Sequence, residues 1–139
     1  MKRTIATLLA ATMALAAPAG ALTTKNVQCE NPGVGRAAAI WARGQIAIFD
    51  HWALEGDSLG IRTLNVADCK AGQMLAASHP EEYRLDGATE VAFEAIRGGE
   101  TDLGVVKELL MQKGFTVADR GIDAGDCVCT EAILNEAAG

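Results

Sequence analysis

The four cysteines have the clearest chemistry in this chain: Cys29, Cys69, Cys127 and Cys129. In a short chain that reaches an oxidising compartment, four cysteines predict two disulfides, with three pairings to choose from. Only Val128 separates Cys127 from Cys129, and a bond between them would close a very small, strained ring. The sequence therefore favours a frame in which these two cysteines take distant partners, one bonding to Cys29 and the other to Cys69.

A second pairing stays open, in which Cys29 bonds to Cys69 and the Cys127-Val128-Cys129 segment keeps a separate pair of sulfurs. Such a pair would be a thiol-redox or soft-metal candidate, because the thiolate is both the nucleophile and the metal ligand. The state of these two thiols separates the two pairings. A structural frame leaves no free thiol, whereas a redox or metal site leaves Cys127 and Cys129 reactive.

Other chemistry has little support in the sequence. The histidines, His51 and His79, form no recognised zinc spacing with the cysteines, and no C-x-x-C-H motif for haem occurs. The acidic loop over residues 119–126 lacks all but two of the ligand positions of a calcium-binding EF-hand, and it lacks the glycine and the glutamate as well. No G-x-S-x-G, H-E-x-x-H or glycine-rich phosphate loop is found. We therefore predict no catalytic residue, no metal site and no cofactor.

The first 21 residues have the layout of a secretory signal peptide. Lys2 and Arg3 give a positive start, residues 5–17 are largely apolar, and Ala19-Gly20-Ala21 offers small residues for cleavage. The apolar run is too short for a transmembrane helix, which needs about 20 apolar residues. The sequence predicts a signal peptide over residues 1–21, a single exported domain over 22–139, and a periplasmic or secreted location with no membrane span in the mature chain.

The net charge of the chain limits the classes of partner that it is expected to bind. Eighteen acidic residues outnumber twelve lysines and arginines, giving a formal net charge of −6. An acidic chain repels phosphate backbones, so nucleic-acid binding is not expected.

Apolar periodicity predicts a mainly α domain of four or five helices. Residues 34–54 carry an apolar stripe at helical spacing, comprising Ala38, Trp41, Gln45, Ile48 and Trp52. Further helices are predicted over 66–77, 88–97 and 101–113. A short β-hairpin near the C-terminus, between residues 115–117 and Cys127-Val128-Cys129, is an additional expectation.

Two functions follow from these features. The first is a small exported, non-catalytic binding protein, such as an accessory subunit, inhibitor or chaperone, whose partner is another exported or envelope protein. The second is a thiol-redox or soft-metal-handling protein using Cys127 and Cys129. For the first function, Trp41, Arg43 and Trp52 are candidate interaction residues, because tryptophan and arginine are enriched at binding hot spots. The alternative for both tryptophans is a place in the core.

Overall fold

The protein is built on one antiparallel sheet, and its strands are neighbours in the order in which they occur along the chain. A computed structural model describes residues 25–55 and 58–138. Within them lie six strands, namely β1 (Val27–Asn31), β2 (Gly35–Arg43), β3 (Ile46–Glu55), β4 (Ser58–Asp68), β5 (Gln73–Ser78) and β6 (Thr116–Gly121). The predicted signal peptide lies outside the described residues, and so does the cleavage site at Ala21.

Helices cover one face of the sheet, and the C-terminal segment covers part of the other. Between β5 and β6 the chain forms α1 (Leu85–Arg97) and α2 (Leu103–Gln112). Their apolar sides pack on the helix face of the sheet, where Ile48, Leu64 and Val66 are fully buried. After β6 the chain crosses the opposite face, here called the C-terminal face, through a 3-10 turn (Cys127–Cys129) and α3 (Glu131–Ala137).

The expectation of a mainly α fold is wrong, and residues 34–54 show why. They form the β2–β3 hairpin, joined by the two-residue turn Gly44-Gln45 with Gly44 at a φ of +62°, the geometry that favours glycine first in such turns. Residues 37–42 of β2 are all buried, because the sheet is covered on both faces. A strand buried on both faces is a continuous apolar run, and such a run fits a helical period as well as a strand.

Residues 66–77, expected to be a second helix, instead complete β4 and form most of β5. The turn between these strands is set by Asp68, whose Oδ1 accepts hydrogen bonds from the backbone N–H groups of Lys70 and Ala71 at 3.1 and 3.0 Å. Gly72 closes the turn at a φ of +72°. A side chain that bonds to the backbone two and three residues ahead favours a turn over a continuing helix.

Helices do form where the sequence predicts them over 88–97 and 101–113, as α1 and α2. The C-terminal hairpin is different from the one expected. Residues 116–121 form β6, but β6 pairs with β5. The Cys127-Val128-Cys129 segment forms a 3-10 turn rather than a strand.

Two disulfides join the C-terminal segment to the sheet. Cys127 bonds to Cys29 on β1, and Cys129 bonds to Cys69 at the end of β4, with Cα–Cα distances of 5.9 and 5.5 Å. Both sulfurs of the Cys127-Val128-Cys129 segment therefore take distant partners. Val128, between them, is fully buried among the small side chains of the C-terminal face.

Gly35 occupies a position with no room for a side chain. A Cβ built there would lie 2.3 Å from the backbone oxygen of Trp52 and 3.0 Å from Nε2 of His51. The first neighbour is backbone of the paired strand, so β3 itself would have to move. We expect Gly35→Ala to lower the free energy of unfolding by about 1–3 kcal/mol, as overpacking does elsewhere.

The matched control for this prediction is Gly125→Ala, because nothing lies within 4 Å of a Cβ at Gly125. Urea unfolding of both variants measures the difference. Equal stability of the two variants would show that the β2–β3 register near Gly35 differs from the one described.

Candidate functional site

A cleft on the C-terminal face has a volume of about 470 Å³. Its floor is the sheet, and one wall is the end of β6 together with the loop that follows it, at residues 120–126. Phe49 on β3 and Met74 on β5 provide apolar floor, and Val34 and Ile122 add apolar surface at the sides. Ligand pockets in proteins commonly have volumes of about 300–1,000 Å³ and are lined by apolar groups with a few placed polar ones.

Three polar groups of this cleft come from adjacent positions on two paired strands. His51 on β3 pairs in register with Thr63 on β4, and Phe49 pairs with Asn65. Paired residues of an antiparallel sheet lie on the same face. His51, Thr63 and Asn65 therefore form a row on the C-terminal face, and all three line the cleft.

Asn65 is the most deeply buried polar side chain of this row, with 2 % of its surface exposed. Its Nδ2 donates to the backbone oxygen of Thr63 at 3.1 Å and to Oγ1 of the same residue at 3.0 Å. Both N–H groups of the amide are used within the strand. The side-chain oxygen is then the group with which the amide can accept a hydrogen bond from a ligand.

Burial lowers the pKa of His51 below its ordinary value, and Arg120 lowers it further, while Asp126 acts in the opposite direction. The neutral imidazole is therefore favoured in the folded protein. A neutral ring both donates and accepts one hydrogen bond, so the row His51–Thr63–Asn65 offers a ligand mixed donors and acceptors without a net charge.

The lowered pKa of His51 makes folding depend on pH. The unfolded chain, whose histidine keeps an ordinary pKa near 6.5, binds the proton more readily than the folded one. The contribution is present in full above that value and is lost as the pH falls through it toward the folded-state pKa. We expect the stability of the wild type relative to His51→Gln to fall between pH 7.5 and pH 5.

Urea unfolding at several pH values measures this difference. The matched control is His79→Gln, which removes the chain's other imidazole and leaves His51 in place. A stability difference between wild type and His51→Gln that stays constant, or that rises toward acid pH, would contradict the environment described for His51.

A second polar cluster lies on the helix face. Nε of Arg62 donates to Oδ1 of Asp50 at 2.8 Å, and its Nη2 donates to Oδ1 of Asp86 on α1 at 3.2 Å. Burial raises the pKa of Asp50 even though Arg62 acts against that rise. The two side chains of the inner pair each have 16 % of their surface exposed, so this cluster joins sheet to helix rather than facing solvent.

The structure separates the three candidate interaction residues. Trp41 is 8 % exposed and packs edge-on against Phe93 with 5.0 Å between ring centroids. Arg43 donates to the backbone oxygens of Ile96 and Arg97 at 3.1 and 2.9 Å, where α1 ends. Trp52 lies further along β3, half-buried and paired with β2 and β4. Trp41 and Arg43 therefore join the sheet to α1, and a role of Trp41, Arg43 and Trp52 in partner binding stays a prediction.

Thr63, Asn65 and Arg120 are cleft residues that the sequence did not point to. Thr63 and Asn65 stand one residue apart in a segment whose apolar neighbours, Leu64 and Val66, face the helices. Alternation of polar and apolar residues over 63–66 is the signal that could have identified this strand and the side facing away from the helices. Arg120 enters the site only because β6 pairs with β5.

Within residues 25–55 and 58–138 there is no group of three histidine, cysteine or acidic side chains placed to hold a metal ion. Over the same ranges, no helix has the length and apolar character needed to cross a membrane. Every cysteine there is bonded in a disulfide.

The fold and the cleft define a disulfide-bonded domain in which two helices cover one face of an antiparallel sheet. No protein-family model, no curated protein and no solved structure matches the chain. The residues of the cleft and its surroundings are therefore the features that point to a function.

Proposed function

We propose that this is a small exported, non-catalytic binding protein, and that its partner docks at the cleft of His51, Thr63 and Asn65. The observation that carries the proposal is the cleft itself, in which a row of uncharged polar groups lies beside Phe49 on a sheet face. Two disulfides and the absence of a membrane-spanning helix in the described residues are compatible with an extracellular location. A periplasmic or secreted location is part of the proposal.

Exposed aliphatic side chains near the cleft favour a protein partner. Val34 lines the cleft with 57 % of its surface exposed, and Ile61 is 72 % exposed. Ile61 is two residues before Thr63 on β4, beside the shift in register between β3 and β4. Leu54 is 41 % exposed, and its backbone N–H donates to the oxygen of Val34 at 3.0 Å. Leu54 is three residues after His51 on β3, so it lies on the opposite face of the strand. We call Val34 and Ile61 the hairpin patch.

The hairpin patch and the cleft together have the composition of an interface. Clustered exposed apolar residues mark interaction sites, and interfaces combine an apolar centre with polar groups that fix orientation. A partner segment would use both the hairpin patch and the cleft if its apolar side chain covered Ile61 and its polar groups bonded to His51 and Asn65. The row itself is uncharged, and Arg120, Asp123 and Asp126 add charges of both signs to the same lining. Shape, hydrogen bonding and charge would therefore all contribute to the choice of partner.

Photo-cross-linking from the hairpin patch tests this proposal. A photoreactive residue at position 61 in the exported protein is expected to cross-link one envelope or secreted protein. The same residue at Val105 on α2, a site that is 41 % exposed, is the matched control and should give no such product. The purified partner should then bind Ile61→Asp at least about ten-fold more weakly than wild type, a loss of 1.4 kcal/mol or more, and should bind Val105→Asp normally.

Two results would contradict the proposal. One is cross-linking that is equal at positions 61 and 105. The other is full affinity of the purified partner for Ile61→Asp in a variant that keeps the wild-type stability.

A further inference from the structure

A second cleft lies on the helix side of the molecule, where the end of β5, the start of α1 and the end of α2 meet. Its volume is about 430 Å³, and its lining is His79, Arg84, Gly87, Val91, Lys113 and Phe115. These residues belong to neither the row His51–Thr63–Asn65 nor the hairpin patch. The inference drawn from them is therefore independent of the proposed function.

All polar side chains that line this second cleft are nitrogen bases. Arg84 and Lys113 are cations and His79 is an imidazole, and no acidic residue is among the lining residues. The chain as a whole has a formal charge of −6, so this concentration of bases runs against its average charge. Cations gathered around a concave, partly apolar surface attract an anion and raise its local concentration.

Arg84 is held in place with part of its guanidinium group uncommitted. Its Nε donates to Oε1 of Glu81 at 2.6 Å, and the guanidinium carbon lies 5.6 Å from the centre of the Tyr83 ring. That hydrogen bond to Glu81 raises the pKa of Arg84, so the group is a permanent cation. The bond uses the inner nitrogen, and the two outer nitrogens have the fork geometry that suits a carboxylate.

His79 is also oriented by the backbone. Its Nδ1 accepts a hydrogen bond from the N–H of Glu81 at 2.9 Å, so the proton of the neutral ring is on Nε2, which is a donor. The ring lies edge-on to Phe115, with 5.8 Å between the ring centroids. The cleft therefore combines a second hydrogen-bond donor with an aromatic floor.

Gly87 provides the space in the cleft. It lies in the first turn of α1, where glycine is a poor helix former. A Cβ there would contact only the ring tip of Phe115, at an ordinary 3.8 Å. Packing therefore does not require glycine at this position. The glycine leaves the space beside Phe115 unfilled, and Phe115 lines the cleft with 9 % of its surface exposed.

We propose that the cleft of Arg84, Lys113 and Phe115 binds a small organic carboxylate with an apolar body. The carboxylate lies between the outer nitrogens of Arg84 and Nζ of Lys113, with Nε2 of His79 as a further donor. The apolar body covers Phe115 and Val91 in the space left by Gly87. Arginine and lysine favour the charged group, and contact with the aromatic floor favours a carboxylate with an apolar body over an anion that has none, such as inorganic phosphate.

Titration of the full exported protein with 3-phenylpropionate, followed by NMR of the backbone amides, tests this site. Amide signals of Gly87, Lys113 and Phe115 are expected to shift and saturate. The uncharged 3-phenylpropionamide has nearly the same shape, and it should bind about ten-fold more weakly because charge-assisted hydrogen bonds are lost.

Variants separate specific binding from adventitious contact. Lys113→Gln should weaken binding of 3-phenylpropionate about three-fold or more, a loss typical of one partly exposed charge. Gly87→Leu fills the cleft while improving helix propensity, so binding should disappear with no loss of thermal stability. Lys70→Gln, at the exposed β4–β5 turn, is the control and should bind as the wild type does.

Equal affinity for the acid and the amide would overturn the proposal, as would unchanged binding by Gly87→Leu. Saturating shifts at His51 and Asn65 instead of Gly87 and Phe115 would also overturn it, because they would place the carboxylate in the first cleft.

Discussion

Replacing Cys29 and Cys127 together by alanine is expected to lower the free energy of unfolding by about 2–5 kcal/mol. The bond joins residues 98 positions apart and ties β1 at one edge of the sheet to the C-terminal segment. Without it, the unfolded chain gains conformational freedom over almost the whole domain. The Cys69–Cys129 bond spans 60 positions. The entropy lost on closing a loop grows only with the logarithm of the loop's length. Removing the Cys69–Cys129 bond should therefore lower the free energy of unfolding nearly as much as removing the Cys29–Cys127 bond.

Loss of both disulfides should do more than lower stability. The segment of Val128, Leu134 and Ala137 covers the small side chains of β2 and β3, including Ala37 and Ala39. These contacts alone bury little apolar area, since alanine has a small side chain. Fluorescence of a hydrophobic dye should therefore rise in the variant without disulfides at a temperature where the sheet is still folded.

Urea unfolding of the two double variants measures the stability, and the reduced wild type is a control for the substitutions themselves. Peptide mapping without reduction tests the pairing. A peptide linking Cys29 to Cys69, with Cys127 and Cys129 reactive toward a thiol reagent, would contradict the frame described. That result would favour a thiol-redox or soft-metal function.

The pairing of cysteines illustrates what a short sequence can show. The small ring that a Cys127–Cys129 bond would close is a local property, visible from spacing alone. Which of the two takes Cys29 depends on where β1 and the end of β4 lie in the sheet. These positions are set by the tertiary fold, so the spacing of the cysteines does not predict which one bonds to Cys29.

The helices were visible in the sequence, but most strands were not. In α1, one side faces the sheet and the other faces water, so buried Ala88, Ala92 and Ile96 recur at helical spacing. In β2, solvent reaches neither face over residues 37–42. The alternation of polar and apolar residues that indicates a half-exposed strand is therefore absent from this segment. Its alanines, taken alone, are strong helix formers. The segment forms a strand because burial between the two layers outweighs the helix propensity of its residues.

The cleft could not be assembled from the sequence for a related reason. His51, Asn65 and Arg120 come from β3, β4 and β6, and only the strand order of the sheet and the crossing of the C-terminal segment place them around one space. None of them belongs to a spaced motif. Knowledge of the register is needed before their shared face is apparent.

Trp41→Ala is expected to lower the free energy of unfolding by about 3–5 kcal/mol, the cost of deleting a large aromatic side chain from a core. Trp41 lies between the sheet and α1, with its ring edge-on to Phe93. The cavity would open beneath α1, next to Ile48 and Ile96 of the same core. Most neighbours in this core are large branched or aromatic side chains that already pack against one another, so they can collapse into the cavity only in part.

Trp52→Ala is the matched control, since it removes the same side chain from the next strand. Trp52 is half-buried, near the end of the sheet where β2 begins, so less of its surface leaves solvent on folding and a smaller loss follows. Urea unfolding followed by circular dichroism, rather than tryptophan fluorescence, compares the two variants on one scale. If Trp52→Ala were as destabilising as Trp41→Ala, the contact of Trp41 with α1 would add no more to the free energy of unfolding than the half-buried ring of Trp52 does. If Trp41→Ala kept wild-type stability but lost the cross-linked partner, Trp41 would be part of the docking surface and the hairpin patch would not account for binding.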